Sequence, residues 1–246
     1  MAGMAMRFGE VADIYEDARP GYDAPALARA IAGYHGAPPG RVLEVGAGTG
    51  KGTEVLARLG GELTCVEPDE RMASVLRSRF PAVEVVVAPF EEARVEPADV
   101  LGCALAWHWL DPRRRCRLAA EALRPGGTLA VFGHRYAYAD PAHAAAIDAA
   151  FLAVEGRASA VRPETEAFDD IRASGCFADV RLERSSRHLP MEPGQYLRLL
   201  RTFGPFRAKS PADQEQTVEA LAAALDRIGG EIVLDLRGTL TLARKA

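Results

Sequence analysis

Short apolar runs alternate with polar, helix-compatible stretches through the first half of the chain. Residues 41–45 (RVLEV), 62–66 (ELTCV), 83–87 (VEVVV), 100–106 (VLGCALA) and 128–133 (TLAVFG) are rich in Val and Leu, and each is bounded by turn-forming residues. The 100–106 run is apolar throughout, as a strand covered on both faces should be. Helices are predicted over 51–59, 69–79 and 112–123, the last stopping at Pro125-Gly126-Gly127. Strand alternating with helix at this spacing predicts βαβ units with right-handed crossovers. The expected fold is therefore α/β: a doubly wound, mainly parallel, seven-stranded sheet with helices on both faces.

Past residue 133 the pattern loosens. Residues 142–154 and 164–174 read as helices, 180–189 as a strand, and 195–203 and 212–228 as helices. A last alternating strand lies within 231–243, where Gly238 is expected to mark a bulge or kink. No repeat or low-complexity tract interrupts the chain, and its 246 residues fit a single α/β domain.

Open α/β sheets bind ligands beyond the carboxyl ends of their strands, near the point where strand order reverses. The residues just after each predicted strand are therefore the ones to inspect. The first such loop is Glu44-Val-Gly-Ala-Gly-Thr-Gly50, whose glycines at 46, 48 and 50 let backbone approach a ligand closely. It is not a Walker loop: Val45 stands where the first glycine is required, and Gly52 where Ser or Thr must follow the lysine. Nor is it a GxGxxG fingerprint, which would put its last glycine at Lys51 or Thr53. The second loop opens with Glu67-Pro68-Asp69. A carboxylate there suits the cis-diol of a ribose, or alternatively serves as a helix N-terminal charge, although Asp69 already has the look of an N-cap.

Five segments taken in order carry a resemblance: VLEVGAGTG at 42–50, VEPDERM at 66–72, APFEE at 88–92, LAWHWLD at 105–111 and LRPGGTLAVFG at 123–133. Together they resemble the successive motifs of class I, Rossmann-like, S-adenosylmethionine-dependent methyltransferases. The opening RFGEVADIYEDARPGYD at 7–23 is similar to the N-terminal element of a bacterial small-molecule subgroup, the one resembling trans-aconitate methyltransferase. The resemblance implies S-adenosylmethionine as cofactor. Glu44 and the backbone of Gly46, Ala47, Gly48 and Gly50 would hold its methionine end, and Glu67 its ribose. Pro68 and Met72 would line the adenine, with Phe90 on the ring and Glu91 near the amino group. Ala106 and Trp107 would sit by the methionyl portion, and Tyr15 and Arg19 would reach it from a helix folded over the site. The implied division is a helical cap at 1–35, a cofactor-binding core at 36–135, and acceptor-side helices and final strands at 136–246. The cap is expected to include the insertion near 190–210, where the stretch 196–206 is rich in large apolar and aromatic groups.

The sequence Trp107-His108-Trp109 suggests an acceptor pocket, because a cation beside an aromatic face gains ~0.5–2 kcal/mol. The alternative is that both rings fill space between helix and sheet. His108 is the candidate general base, or else an orienting group. Trp107, Trp109, His134, Tyr136 and Tyr196 are the candidate substrate contacts.

Composition narrows the partners. With 30 Lys and Arg against 34 Asp and Glu, the net charge of −4 lacks the basic excess that phosphate backbones demand, so no nucleic-acid partner is expected. The cluster Arg113-Arg114-Arg115-Cys116-Arg117 reads as a solvated helix face. Four cysteines without CxxC spacing read as free thiols in a reducing cytoplasm, and five scattered histidines offer no metal site. No signal-like run opens the chain, and no apolar stretch nears the ~20 residues that span a membrane. A monomer or homodimer acting on a small molecule is expected. Two other functions share the same loops: an S-adenosylmethionine-binding protein of repurposed or non-methylating function, and an NAD(P)-dependent oxidoreductase.

Overall fold

A computed structural model describes residues 12–156 and 163–246, without the side chains of residues 12, 13 and 15. Seven strands form one sheet: β1 (Arg41–Val45), β2 (Glu62–Val66), β3 (Glu84–Val86), β4 (Ala98–Ala104), β5 (Leu123–Tyr138), β6 (Phe177–Met191) and β7 (Ile232–Lys245). Their order is β3-β2-β1-β4-β5-β7-β6. The first five pair in parallel, and β7 lies antiparallel between β5 and β6. The order reverses between β1 and β4, which places the ligand crevice above the ends of those two strands.

Side-chain alternation along the central strands sorts the core into two faces. Leu43 and Val45 of β1 and Leu101 and Cys103 of β4 share one apolar cluster with Ala119, Ile171 and Phe177. Val42 and Val100 point the other way, among Ile31, Val55 and Leu56. A further cluster joins Leu234 and Leu236 of β7 to the helices Pro141–Glu155, Pro193–Leu200 and Pro211–Ile228 through Ile147, Leu199 and Leu221.

Several expected boundaries move, each for a local reason. The helix expected over 112–123 spans only Arg115–Glu121, because the Asp111 carboxylate and carbonyl first hold a turn through the amides of Arg113, Arg114 and Arg115. The one expected over 51–59 shortens to Thr53–Leu56 followed by a 3-10 turn, Ala57–Leu59. Pro125-Gly126-Gly127 does not separate the helix Arg115–Glu121 from the next strand but falls inside β5 at a register shift, with Gly126 at φ 72°. Gly238 makes no bulge: it pairs in unbroken register with His134 and Ser185. A Cβ at position 238 would collide with the Ser185 hydroxyl, which explains a glycine there. The basic run is also not wholly solvated, since Arg115 is 5% exposed. No helix among the described residues is long and apolar enough to cross a membrane.

Gly102 illustrates how tightly the second face is packed. A Cβ on this residue of β4 would land on the methyls of the fully buried Leu56. Gly102→Ala is therefore expected to destabilise the protein by about 1–3 kcal/mol through overpacking. Denaturant unfolding should show this as a lowered midpoint at unchanged slope.

Candidate active site

The turn after β1 depends on backbone that side chains would block. Gly46, Gly48 and Gly50 have φ of 69°, 57° and 96°, left-handed values that favour glycine. The amides of Gly46 and Ala47 both donate to the Val66 carbonyl, at 2.8 and 3.2 Å, holding the loop to the end of β2. Opposite lies the end of β4, where a Cβ on Gly46 would strike that of Ala106.

Two buried carboxylates flank this loop. Glu67 receives the Gly48 amide on Oε2 at 2.8 Å and the Asp69 amide on Oε1 at 2.9 Å. It is 7% exposed, and burial raises its pKa. Asp69 caps the helix Glu70–Arg79 by accepting from the Arg71 amide, so Glu67 is not needed as the helix-terminal charge. Glu44 is wholly buried on the side of β1 facing the Thr53–Leu56 helix. Its Oε2 accepts from the hydroxyl of Thr53 at 2.5 Å and the thiol of Cys65 at 3.4 Å. Its Oε1, which lies against Gly52, has no hydrogen-bond partner among the described residues. Desolvation raises the Glu44 pKa to about 7, against the lowering effect of the Thr53 and Cys65 bonds, with nearby Glu67 raising it further.

The other expected contacts are spread around the same loops. Met72 is buried, its methyl 3.7 Å from where a Cβ on Gly48 would be. Pro68 is half-buried beside Glu67. Phe90 and Ala106 are buried in one cluster with Val45 and Val66. Glu91 accepts from the Asp111 amide at 3.1 Å, tying the loop after β3 to that after β4.

A cap closes the crevice from above. In the helix Ala12–Ala18, the Glu16 carboxylate receives the Thr49 hydroxyl at 2.6 Å and faces Lys51 Nζ at 2.9 Å and Arg79 Nη1 at 3.1 Å. Arg19 reaches the other way: its guanidinium donates to the hydroxyl and carbonyl of Thr202 at 2.8 and 3.1 Å and lies 4.7 Å over the ring of Phe203. The expected contact Tyr15 lies outside the described side chains.

Beneath the cap is a cavity of about 40 Å³, lined by Arg19, Pro20, Tyr22 and His134 against Gly46–Thr49, Lys51, Gly52 and the end of β4. Tyr22 meets the His134 ring at 5.3 Å between centroids, and His134 Nε2 is 3.2 Å from the Tyr136 hydroxyl. Tyr136 in turn packs on Phe203. Burial, and then the charges of Arg19 and Arg187, press the His134 pKa down to about 4, so this ring is neutral near pH 7.

The tryptophans do not form the expected aromatic pocket. Trp107 is 4% exposed in the core, with its indole N–H on Asp170 Oδ2 at 3.0 Å and the Arg115 guanidinium over its ring. Trp109 packs half-buried on the same cluster and against His108, and neither lines the cavity. Tyr196 is also a core residue, its hydroxyl 2.6 Å from that of Tyr138. Glu16, Tyr22, Lys51 and Phe203 complete the site without having been foreseen. Their traces in the sequence are positional: Glu16 and Tyr22 flank Arg19, Lys51 follows the glycine triplet, and Phe203 lies in the aromatic-rich stretch 196–206.

Residues 43–131 match the model of a family described as Methyltransferase domain. An uncharacterized methyltransferase of Mycobacterium tuberculosis is 37% identical over 128 residues, 51% of each chain. The chain thus spans about half the length of the curated relatives it matches. Among solved structures, a candidate type II methyltransferase from Anaeromyxobacter dehalogenans superposes with a TM-score of 0.69 at 22% identity, over 92% of this chain and 97% of that one. A phosphoethanolamine N-methyltransferase from Haemonchus contortus, solved with phosphomonomethylethanolamine and S-adenosylhomocysteine, superposes with a TM-score of 0.55 at 16% identity. That match covers 96% of this chain and 57% of that one. The family match places a methyltransferase domain on residues 43–131, and the strand order agrees with a Rossmann-like class I fold.

Proposed function

We propose that this protein transfers a methyl group from S-adenosylmethionine to a small-molecule acceptor, by O-, N- or C-methylation, with a carboxylate or hydroxyl the favoured target. The observation that carries the proposal is the glycine loop tied to two buried carboxylates at the β1–β4 switch point. Glu44 fits the cofactor chemically: its buried, unpaired Oε1 calls for a donor, and the methionyl ammonium is one. Glu67, Pro68, Met72, Phe90 and Glu91 would hold the nucleoside, and the amides of Gly46 to Gly50 and Arg19 the methionyl end. When bound, the cofactor supplies a methyl group activated on a sulfonium. The chain has then to orient the acceptor for in-line attack and keep water out, a positioning effect worth roughly 7–11 kcal/mol.

A small acceptor suits a crevice roofed by a helix, and a carboxylate acceptor needs no base. For a hydroxyl, His134 is better placed than His108, since it lines the cavity, and with its low pKa it would orient the nucleophile rather than accept its proton. Tyr136 supports His134 through its hydroxyl. A cytoplasmic monomer or homodimer, with no nucleic-acid partner, remains part of this proposal.

Radiolabelled S-adenosylmethionine incubated with small-molecule extracts tests the activity directly. Label should pass into extractable small molecules; transfer confined to RNA or protein would overturn the acceptor class. In the same preparation, Glu67→Ala should weaken S-adenosylhomocysteine about tenfold or more, since charge-assisted hydrogen bonds contribute ~1.5–3 kcal/mol each. Calorimetry showing less than a twofold change would remove Glu67 from the ribose site.

The raised pKa of Glu44 gives a pH dependence with a definite sign. The folded protein holds this proton more tightly than the unfolded chain, so the group's contribution to stability is lost as pH rises from about 4.5 through 7. Binding an ammonium favours the ionised form, so cofactor affinity should move the opposite way. The affinity for S-adenosylhomocysteine is expected to rise as pH is raised from 6 to 8, and Glu44→Gln should flatten that profile.

The cap is the remaining element. A cavity of about 40 Å³ is far below the ~300–1,000 Å³ of a small-ligand site, so the helix Ala12–Ala18 must lift to admit the cofactor. The segment 196–206 is proposed to move with it, through Arg19 and Thr202. Glu16→Gln should therefore speed S-adenosylhomocysteine association severalfold in stopped-flow measurements, and unchanged rates would show that the helix is not a gate.

A further inference from the structure

Next to the cofactor crevice, but outside it, lies a buried polar cluster that the proposed chemistry does not use. It is built on Asp170, in the helix Glu166–Ala173 on the acceptor-side half of the chain. Its Oδ2 accepts from the indole N–H of Trp107 at 3.0 Å, from Arg115 Nε at 2.7 Å and from the Cys116 thiol at 3.3 Å. Arg115, buried in spite of its charge, also donates from Nη1 to the Trp107 carbonyl at 3.1 Å. Trp107 is thus fixed at both ends, its ring by Asp170 and its backbone by Arg115.

What precedes Trp107 gives the cluster its significance. Leu105 has φ 53°, a left-handed value in a branched residue that persists only where the surroundings impose it. On one side it is held by its amide on the Phe132 carbonyl at 2.9 Å and by its side chain lying across Gly133. On the other side stands Trp107. Between them Ala106 presses on Gly46, and Leu105 itself lines the cavity.

We infer that Asp170 and Arg115 are positioning residues for the cofactor site, acting through Trp107 to hold the Leu105–Ala106 wall at its spacing from the glycine loop. Neither side chain lines the cavity, so the effect is indirect. Without the anchor, Leu105 is released toward an ordinary φ, and the wall of the crevice shifts against Gly46. The inference rests on the methyltransferase reading, because it takes the glycine loop to be the cofactor site.

The test is S-adenosylhomocysteine affinity, measured by calorimetry on variants shown by circular dichroism to be fully folded at the working temperature. Asp170→Ala should weaken binding about tenfold or more. Asp170→Asn, which keeps an oxygen for the indole but loses the charge facing Arg115, should fall between that variant and the wild type; it carries the test if Asp170→Ala does not fold. Trp107→Phe removes the donor that Asp170 accepts. Its loss and that of Asp170→Ala should therefore overlap in the double variant rather than add. A purely structural role for Asp170 would lower the melting temperature and leave affinity within twofold of wild type in every folded variant, and that result would overturn the inference, as would strictly additive losses. If the wild-type protein does not bind S-adenosylhomocysteine at all, the methyltransferase reading itself fails, a result distinguishable from failure of the Asp170 inference alone.

Discussion

Two loops can meet at the switch point of this sheet only because one of them lacks a side chain. Gly46, leaving β1, lies so close to Ala106, leaving β4, that no Cβ fits between them. The rest of the site is arranged around that approach. The glycine turn bends back onto Val66, its next amides reach Glu67, and the strained Leu105 carries the opposing wall. The helix bearing Glu16 then rests on Thr49 and Lys51 at the far end of the same turn.

The two carboxylates in this region do different work although both are buried. Glu67 has a backbone amide on each oxygen, so its charge is used to hold the loop. Glu44 has one satisfied oxygen and one without a partner. An unmet hydrogen-bonding group in a core costs free energy comparable to a lost hydrogen bond, and native structures keep few of them. Under the proposed function, such a group at the base of the glycine loop is where cofactor binding would restore what folding gave up.

The sheet was legible where each strand ended in a recognisable turn, and the glycine loop and Glu67 were legible because their chemistry is local. Asp69 as an N-cap was visible for the same reason. What escaped were features that depend on distant residues. Arg115 reads as part of a solvated basic run until Asp170, 55 residues later, draws it inside. The same carboxylate turns Trp107 into the core, where a pair of rings flanking a histidine had suggested a binding pocket. Gly238 looked like a strand irregularity because nothing nearby in the chain reveals the Ser185 side chain facing it. Nor could spacing link Arg19 to Thr202, a contact across 183 positions.

The apolar interior is divided. One set of clusters surrounds β1 and β4 and takes in Ile171, and a separate one gathers the helices Pro141–Glu155, Pro193–Leu200 and Pro211–Ile228 around Leu221 and Leu234. Residues without shared neighbours contribute to stability almost independently. Substitutions among those later helices can therefore accumulate without unbalancing the glycine turn, provided the latch to Arg19 and the anchor at Asp170 are kept. A chain built this way can vary its later helices while the packing around β1, β4 and the glycine turn stays as it is.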